Sequence, residues 1–202
     1  GQQTLAGRVS LSVPPSTAST LLAPRLGELR RRHPAIVLRV IAETRMASLR
    51  SEIDLAVRLS RPQDPELVVR RLRRLGFSYY AAPDYLARRT PAQYEFIGYD
   101  ESLDDSAQQR HMLEFAAGRA LVLRSNSADV QRGAVRAGVG VALLADLPDN
   151  LADPAMTRLP GGVGVLEREL WLVVHRDLRQ APAVRAVAEF LAEALSEDDA
   201  AR

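Results

Sequence analysis

Two short polar segments of this sequence carry side chains suited to binding a small anion. Pro14 to Thr17 separates an alternating apolar stretch from a helical pattern, and Ser125 to Ser127 holds the same position in the second half. Hydroxyl and amide groups beside the first N–H groups of a helix can hold a carboxylate. Arg58 would add a guanidinium at the end of another predicted strand, and Glu43-Thr44 follows a further one. The candidate ligand-binding residues are therefore Pro15, Ser16, Thr17, Glu43, Thr44, Arg58, Ser125, Asn126 and Ser127.

A purely structural role is the alternative for several of these residues. Ser16, Thr17 and Ser127 are of the types that routinely cap helices, so each one taken alone is explained by capping. Two such segments facing one cleft would favour ligand binding instead. The sequence leaves both interpretations open.

Catalysis and metal binding have little support in the sequence. The histidines His33, His111 and His175 are far apart, and there is no cysteine and no GxSxG motif. A hydrolase that uses Ser16 or Ser125 as nucleophile remains an alternative. We expect no enzyme activity, no metal site and no cofactor.

The elements that would position the first polar segment form a βαβ unit. Val9, Leu11 and Val13 alternate with polar residues, which predicts a half-buried strand that ends at Pro14. Apolar residues at helical spacing then predict a helix over 17–32, and a second strand follows over 36–41. The two strands should therefore be parallel, and ligands of such sheets bind beyond the carboxyl ends of the strands.

The rest of the chain continues this alternation of strands and helices. Short apolar runs predict strands, and amphipathic runs predict helices. The expected strands or extended segments are 53–59, 67–72, 75–81, 94–99, 120–124, 141–144 and 169–175. The expected helices are a short one around 46–52 and longer ones at 107–117, 128–137 and 181–195.

Charge is unevenly distributed along the chain although the formal net charge is only +2. The clusters Arg30-Arg31-Arg32, Arg70-Arg71 and Arg73-Arg74 make the first part basic. A nucleic-acid surface is one interpretation. A solvated helix end is favoured, because no aromatic residues alternate with these arginines.

Several segments together resemble the effector-binding domain of LysR-type transcriptional regulators of bacteria. The resemblance runs from about Leu5 to Leu195, and its segments are, in order, GRVSLSVPPSTASTLLAPRLGELRRRHPAIVLRV, EIDLAVRL, VVRRL, YAAPDYLARR, AVRAGVGVALLADLP and LWLVVHRDLRQAPAVRAVAEFLAEAL.

This resemblance implies an α/β fold of the periplasmic-binding-protein type II architecture, with two Rossmann-like subdomains joined by two crossing hinge strands. Subdomain I would comprise 1–75 and 175–202, and subdomain II 83–166. The hinge segments would be 76–82 and 167–174.

The resemblance also implies a function. A small effector, which we expect to bear a carboxylate, would bind in the cleft between the subdomains. Pro15, Ser16 and Thr17 with Glu43, Thr44 and Arg58 would form one wall, and Ser125, Asn126 and Ser127 the other. Family members act in the cytoplasm and are not membrane proteins. Homodimers or tetramers would form through helices 17–32 and 128–137, and DNA would be bound only by an N-terminal winged helix-turn-helix absent from this sequence.

Two other functions remain as alternatives at this point. A solute-binding receptor of a transport system could use the same fold, and it would be a secreted monomer. The serine hydrolase is less favoured than the receptor.

Overall fold

The computed structural model describes residues 5–43 and 52–197, which form two compact units. The first unit contains Gly1–Arg74 and Glu169–Arg202, and the second contains Leu75–Arg168. Most of the short helix predicted around 46–52 lies outside the described residues.

Strands and α-helices alternate along much of the described chain. The strands are β1 (Ala6–Val13), β2 (Ala35–Ala42), β3 (Leu55–Arg58), β4 (Leu67–Ala81), β5 (Phe96–Gly98), β6 (Leu121–Arg124), β7 (Ala142–Ala145), β8 (Thr157–Arg158) and β9 (Leu166–His175). The helices are α1 (Pro15–Thr17), α2 (Leu26–Arg32), α3 (Pro83–Ala87), α4 (Ala107–Ala116), α5 (Ala128–Arg136), α6 (Pro148–Leu151) and α7 (Pro182–Ala194).

The sheet of the first unit places β1 between β2 and β3. β1 and β2 are parallel, with Ala6 opposite Ala35 and Val13 opposite Ala42, which confirms the predicted βαβ unit. β3 is also parallel to β1, and β9 pairs with β3 in the antiparallel sense. The carboxyl ends of β1, β2 and β3 therefore share one edge of the sheet.

β1 is buried on both faces, so the prediction of a half-buried strand is wrong for its second half. Ser10 and Ser12 are 5% and 0% exposed, as deeply buried as Val9 and Leu11. Parallel strands inside a sheet are covered on both faces, and a serine is small enough to be enclosed if its hydroxyl is hydrogen-bonded.

The helical stretch 15–32 contains three different kinds of turn. After α1, a π-helical turn covers Ala18–Leu22 and a 3₁₀ turn covers Ala23–Arg25, before α2 begins. Pro24 explains this irregularity, because it has no N–H to donate to Thr20 and its ring would clash with that carbonyl in a regular α-helix. The predicted helix is confirmed, and its interior is irregular at the proline.

Ser16 and Thr17 do not cap this helical stretch. Pro14 occupies the N-cap position, no side chain accepts a hydrogen bond there, and Pro15 begins the first turn. Proline is favoured at the first helical position because its missing N–H would have had no partner there. Ser16 and Thr17 therefore lie inside the first turn.

β4 is one strand of 15 residues, where the sequence predicts two extended segments. The prediction divides it because Arg73-Arg74 interrupt the apolar pattern. A strand needs backbone pairing and only partial cover, so exposed arginine side chains on its first-unit part do not end it. The hinge role of 76–82 and 167–174 stays a prediction.

The second unit is built on the buried residues of β4. Phe77 lies opposite Ala145 in the antiparallel pair of β4 and β7, and β8 pairs with the end of β4. β5 and β6 are parallel, with Gly98 opposite Arg124. α5 begins after Ser127, whose side chain accepts a hydrogen bond from the N–H of Val130, so Ser127 is an N-cap.

Asp153 ties α5 to the segment after α6. Its Oδ2 atom lies 2.7 Å from Arg132 Nη2 and 2.8 Å from Arg136 Nε, and its Oδ1 atom accepts a hydrogen bond from the N–H of Ala155. The Ala155 hydrogen bond and the Arg136 guanidinium lower the pKa of Asp153 below its usual range.

We expect Asp153→Asn to destabilise the second unit by about 1–2 kcal/mol at neutral pH, because charge-assisted hydrogen bonds are lost. A carboxyl whose pKa is lower in the folded state stabilises that state above its unfolded pKa of about 4. The contribution is lost as the pH falls through the folded pKa. Urea denaturation at several pH values measures the free energy of unfolding of wild type and variant. The difference between these two free energies should shrink below about pH 4. A difference that is constant across this range would contradict the assignment.

Candidate functional site

Three residues at the carboxyl ends of β1, β2 and β3 form a hydrogen-bonded chain. Arg58 Nη1 donates to Ser12 Oγ at 3.0 Å and to the Val57 carbonyl at 3.0 Å. Ser12 Oγ in turn donates to Glu43 Oε2 at 3.3 Å. The structure thus brings together Arg58 and Glu43, two of the sequence-predicted residues, through a serine that the sequence analysis missed.

Arg58 is a buried cation. Its side chain is enclosed so that the residue is only 5% exposed. Burial lowers the pKa of Arg58, and the negative charge of Glu43 opposes that shift. An arginine stays protonated in proteins even so, which leaves a positive charge beneath the edge of the sheet.

Pro15, Ser16 and Thr17 follow β1 directly at this same edge. The Glu43 N–H donates to the Val13 carbonyl at 3.0 Å, so β1 and β2 remain paired up to the start of the turn. Thr17 is buried, whereas Pro15 and Ser16 are partly exposed. Because no side chain caps α1, the backbone at its start keeps its capacity to bind an acceptor. Thr44 lies outside the described residues.

Ser125, Asn126 and Ser127 lie beyond the carboxyl end of β6 in the second unit. Ser125 Oγ accepts a hydrogen bond from the N–H of Ser127 at 3.1 Å, and Ser127 Oγ accepts from Val130 at 3.3 Å. Both hydroxyls thus support the local backbone, a role that the structural alternative predicted for Ser127 but not for Ser125. Asn126 is the most exposed of the three.

A second polar group of the second unit was missed by the sequence analysis. Tyr99 follows β5, and its backbone is held by Gln109, which accepts from the Tyr99 N–H at 2.9 Å and donates to its carbonyl at 3.1 Å. Ser125 is joined to the same strand end, because its N–H donates to the Gly98 carbonyl at 2.9 Å. The carboxyl ends of β5 and β6 therefore bring Tyr99 beside Ser125.

Arg168 adds a positive charge to this group. Its Nη1 atom is hydrogen-bonded to Gln108, which is 7% exposed. Burial raises the pKa of the Tyr99 hydroxyl, and the charge of Arg168 opposes that shift. Burial and the nearby Arg110 charge act in the other direction on Arg168, whose pKa is lowered. No local spacing links these residues, because they come from three separate elements.

The described part of the chain contains neither a group of metal ligands nor a membrane-spanning helix. Within residues 5–43 and 52–197 no three His, Asp or Glu side chains are grouped as metal ligands would be. In the same residues, no helix is both long enough and apolar enough to span a bilayer. His111 is engaged elsewhere, with its Nδ1 atom 2.6 Å from the Tyr79 hydroxyl.

Comparison with solved structures identifies the fold. The chain is similar to the regulatory domain of CrgA, a LysR-type transcriptional regulator from Neisseria meningitidis, with 22% identity, a TM-score of 0.79, and coverage of 95% of this chain and 100% of that one. It is also similar to the effector domain of the regulator AmpR of Pseudomonas aeruginosa, with 21% identity, a TM-score of 0.71, and coverage of 94% and 95%. The fold is the periplasmic-binding-protein-like type II fold of these domains, as predicted.

Comparison of sequences gives relatives that are transcriptional regulators. The chain is 28% identical over 189 residues to the Mau operon transcriptional activator of Paracoccus denitrificans, covering 89% of this chain and 62% of that protein. It is 30% identical over 102 residues to the uncharacterized HTH-type transcriptional regulator YhjC of Escherichia coli, covering 50% and 31%. The chain thus spans less than two thirds of the length of these relatives.

The family model described as the LysR substrate binding domain matches residues 2–196, nearly the whole sequence. The chain therefore belongs to the family of effector-binding domains of LysR-type transcriptional regulators.

Proposed function

We propose that this domain binds a small effector bearing a carboxylate and passes that binding on to the rest of a bacterial transcriptional regulator. The observation that carries the proposal is the buried Arg58 at the carboxyl ends of three parallel strands, where such sheets bind ligands. Its guanidinium is held in place by Ser12, so its orientation is fixed before a ligand arrives. A preorganised cation favours an anionic group at low entropic cost.

The other groups of the same edge would complete one side of the proposed site. Pro15, Ser16 and Thr17 would offer backbone N–H groups and hydroxyls, and Glu43 would limit the number of negative charges that a ligand could carry. We propose that one carboxylate is bound, because the Arg58 charge is already partly balanced by Glu43.

The second unit would supply the opposing side, as the family resemblance implies. We propose Asn126 as the main contributor of the predicted trio, because it is the most exposed of the three. Tyr99 and Arg168 would extend it with a hydroxyl and a second positive charge. These two residues support the choice of an anionic effector over a neutral one.

The proposed regulator would act in the cytoplasm as a homodimer or tetramer. The predicted contact uses helices 17–32 and 128–137, and the exposed Val130 of α5, at 52%, supports it. DNA would be bound by a winged helix-turn-helix N-terminal to this domain in the longer protein. Effector binding would shift the population of domain arrangements and hence the spacing of the DNA-binding heads. Sedimentation velocity tests the dimer.

A regulator is preferred over the two other functions that the sequence left open. The matched family and the relatives named above are transcriptional regulators. Neither a transport receptor nor a hydrolase is supported by a specific observation in the described residues.

A thermal-shift screen tests the proposal directly. The purified domain is heated with small aromatic and aliphatic acids, and with the amide of each acid as a matched neutral control. A ligand at about a hundred times its dissociation constant adds about 2.7 kcal/mol, which raises the unfolding temperature by about 5–10 °C for a chain of this size. We expect hits among the acids and no shift with their amides. Stabilisation by neutral compounds only would contradict the proposal.

A further inference from the structure

A groove of about 330 Å³ lies on the first unit, between α7 and the strands β4 and β9. Its apolar lining residues are Val68, Val69, Leu172, Val174, Val184 and Ala188. This volume is at the lower end of the range of small-molecule sites, so the groove can hold one small ligand.

None of the residues that line the groove belongs to the proposed effector site. β3 and β9 are antiparallel, with Arg58 opposite Trp171 and Leu55 opposite Val174. Val174 therefore lies beside the amino end of β3, whereas the effector residues follow the carboxyl ends of β1, β2 and β3. The part of the groove around Val174 is thus displaced along the strands from that edge, and Leu172, opposite Val57, is its lining residue on β9 nearest to Arg58.

Ala188 has the smallest side chain of the residues that line the groove. Leu172, Val174 and Val184 belong to the hydrophobic core of the first unit, and Ala188 packs against that core from its edge. A larger side chain at position 188 of α7 would fill the space above the valines. A leucine is compatible with the helix, so the groove can be closed without changing the backbone.

The rim of the groove is strongly basic. The charged residues that line the groove are three arginines, Arg70, Arg179 and Arg185, and one acid, Glu189. Arg185 Nε lies 3.3 Å from Glu189 Oε1, but both side chains are exposed, so the pair is weak. Among the residues that the structure describes, no carboxylate lies within ion-pair distance of Arg70 or Arg179.

The start of α7 adds to this positive potential. Its cap residue, Ala181, has no side chain that could accept a hydrogen bond, and its first turn contains no acidic residue. Helices normally carry acids at this end, because the macrodipole is positive there. Arg179 and Arg185 thus add positive charge near the positive end of the helix dipole, and a bound anion would offset it.

We propose that this groove is a second ligand site, for a small amphipathic carboxylate. The apolar part of the ligand would cover Val174 and Val184, and its carboxylate would lie between Arg70 and Arg179. Planar guanidinium groups bind carboxylates with two parallel hydrogen bonds, which suits this arrangement. This ligand is bound by the first unit alone and needs no residue of the proposed effector site.

The test uses 4-phenylbutyrate as the probe, titrated into the wild-type chain and followed by saturation-transfer NMR of the probe. We expect Arg70→Gln with Arg179→Gln to weaken binding by about tenfold or more, because both charged partners are lost. Ala188→Leu should abolish binding. The matched control is Arg88→Gln, which removes an exposed arginine from the second unit and should leave the affinity within about twofold.

Two further measurements distinguish binding in the groove from binding at the effector site and from loss of folding. Arg58→Gln should leave 4-phenylbutyrate binding to the groove unchanged, since Arg58 belongs to the effector site. The unfolding temperature of each variant shows whether it is folded. If Ala188→Leu proves unstable, the double arginine variant still tests the proposal, because it changes only exposed side chains.

The proposal is overturned by any of three results. The first is no binding of 4-phenylbutyrate to the wild-type chain, and the second is equal binding of the neutral 4-phenylbutanamide. The third is binding that survives both the double arginine substitution and Ala188→Leu, because the probe would then lie elsewhere.

Discussion

Replacing Arg58 with alanine is expected to weaken a carboxylate effector by about 1.5–3 kcal/mol, or about 10- to 150-fold in dissociation constant. The reason is that a buried, charge-assisted hydrogen bond to the ligand would be lost where water cannot replace it. Isothermal titration with the best acid from the thermal-shift screen measures this change. Ser12→Ala should give a smaller loss, because the guanidinium would stay charged but lose one of its hydrogen bonds, the one to Ser12 Oγ.

Arg61→Ala is the matched control for this prediction. Arg61 belongs to the same unit and lies 5.2 Å above the ring of Trp171, and it is exposed. The Arg61→Ala substitution removes one positive charge from the same part of the chain and leaves Ser12 and Glu43 unchanged. We expect its effect on affinity to stay below about threefold. If Arg58→Ala binds the acid as tightly as wild type while remaining folded, Arg58 does not belong to the site.

Asp146→Ala is expected to destabilise the second unit by about 2–4 kcal/mol, because two buried hydroxyls lose their acceptor. Asp146 Oδ2 accepts a hydrogen bond from Ser78 Oγ at 2.7 Å, and Oδ1 accepts from the Tyr80 hydroxyl at 2.6 Å. Ser78 and Tyr80 are 0% and 1% exposed, so water has little access to their hydroxyls. Ser78 Oγ also accepts from the N–H of Gly164, which extends the network to a neighbouring loop.

The distribution of aromatic residues allows each unit to be followed separately during urea denaturation. The single tryptophan, Trp171, lies in the first unit, whereas all five tyrosines lie in the second. The near-ultraviolet circular dichroism of tyrosine, followed during urea denaturation, should therefore show the lower free energy of unfolding of the second unit in Asp146→Ala. Asp105→Ala removes an exposed carboxylate of the same unit and should change stability by less than about 0.5 kcal/mol. Equal stabilities of the two variants would contradict the network.

Most of the fold could be predicted because its elements have local signals. The βαβ unit is indicated by alternation, a double proline and helical spacing within about thirty residues. β4 was divided wrongly, because Arg73-Arg74 look like a break when neighbouring strands are unknown. The irregular turn around Pro24 could have been anticipated from the proline alone, although the kind of turn could not.

The candidate site was predictable only in part, for a different physical reason. Arg58 and Glu43 were found because they follow predicted strands, but Ser12 was assigned to a solvent-exposed face. That error came from treating alternation as evidence of exposure, when small polar residues can also be buried. Tyr99 and Arg168 were missed because they are 69 positions apart in sequence and only the fold makes them neighbours.

The irregular helical stretch after β1 shows how a proline can be accommodated inside a helical stretch. The π-helical turn spans five residues and the 3₁₀ turn spans three, which makes eight residues against about seven for two ordinary α-helical turns. Leu22 and Leu29 still face the core on either side of Pro24. The irregular turns are confined to Ala18–Arg25, and α2 continues as a regular α-helix after them. Pro24 is thus accommodated in a helical stretch whose leucines on either side of it are both buried in the core.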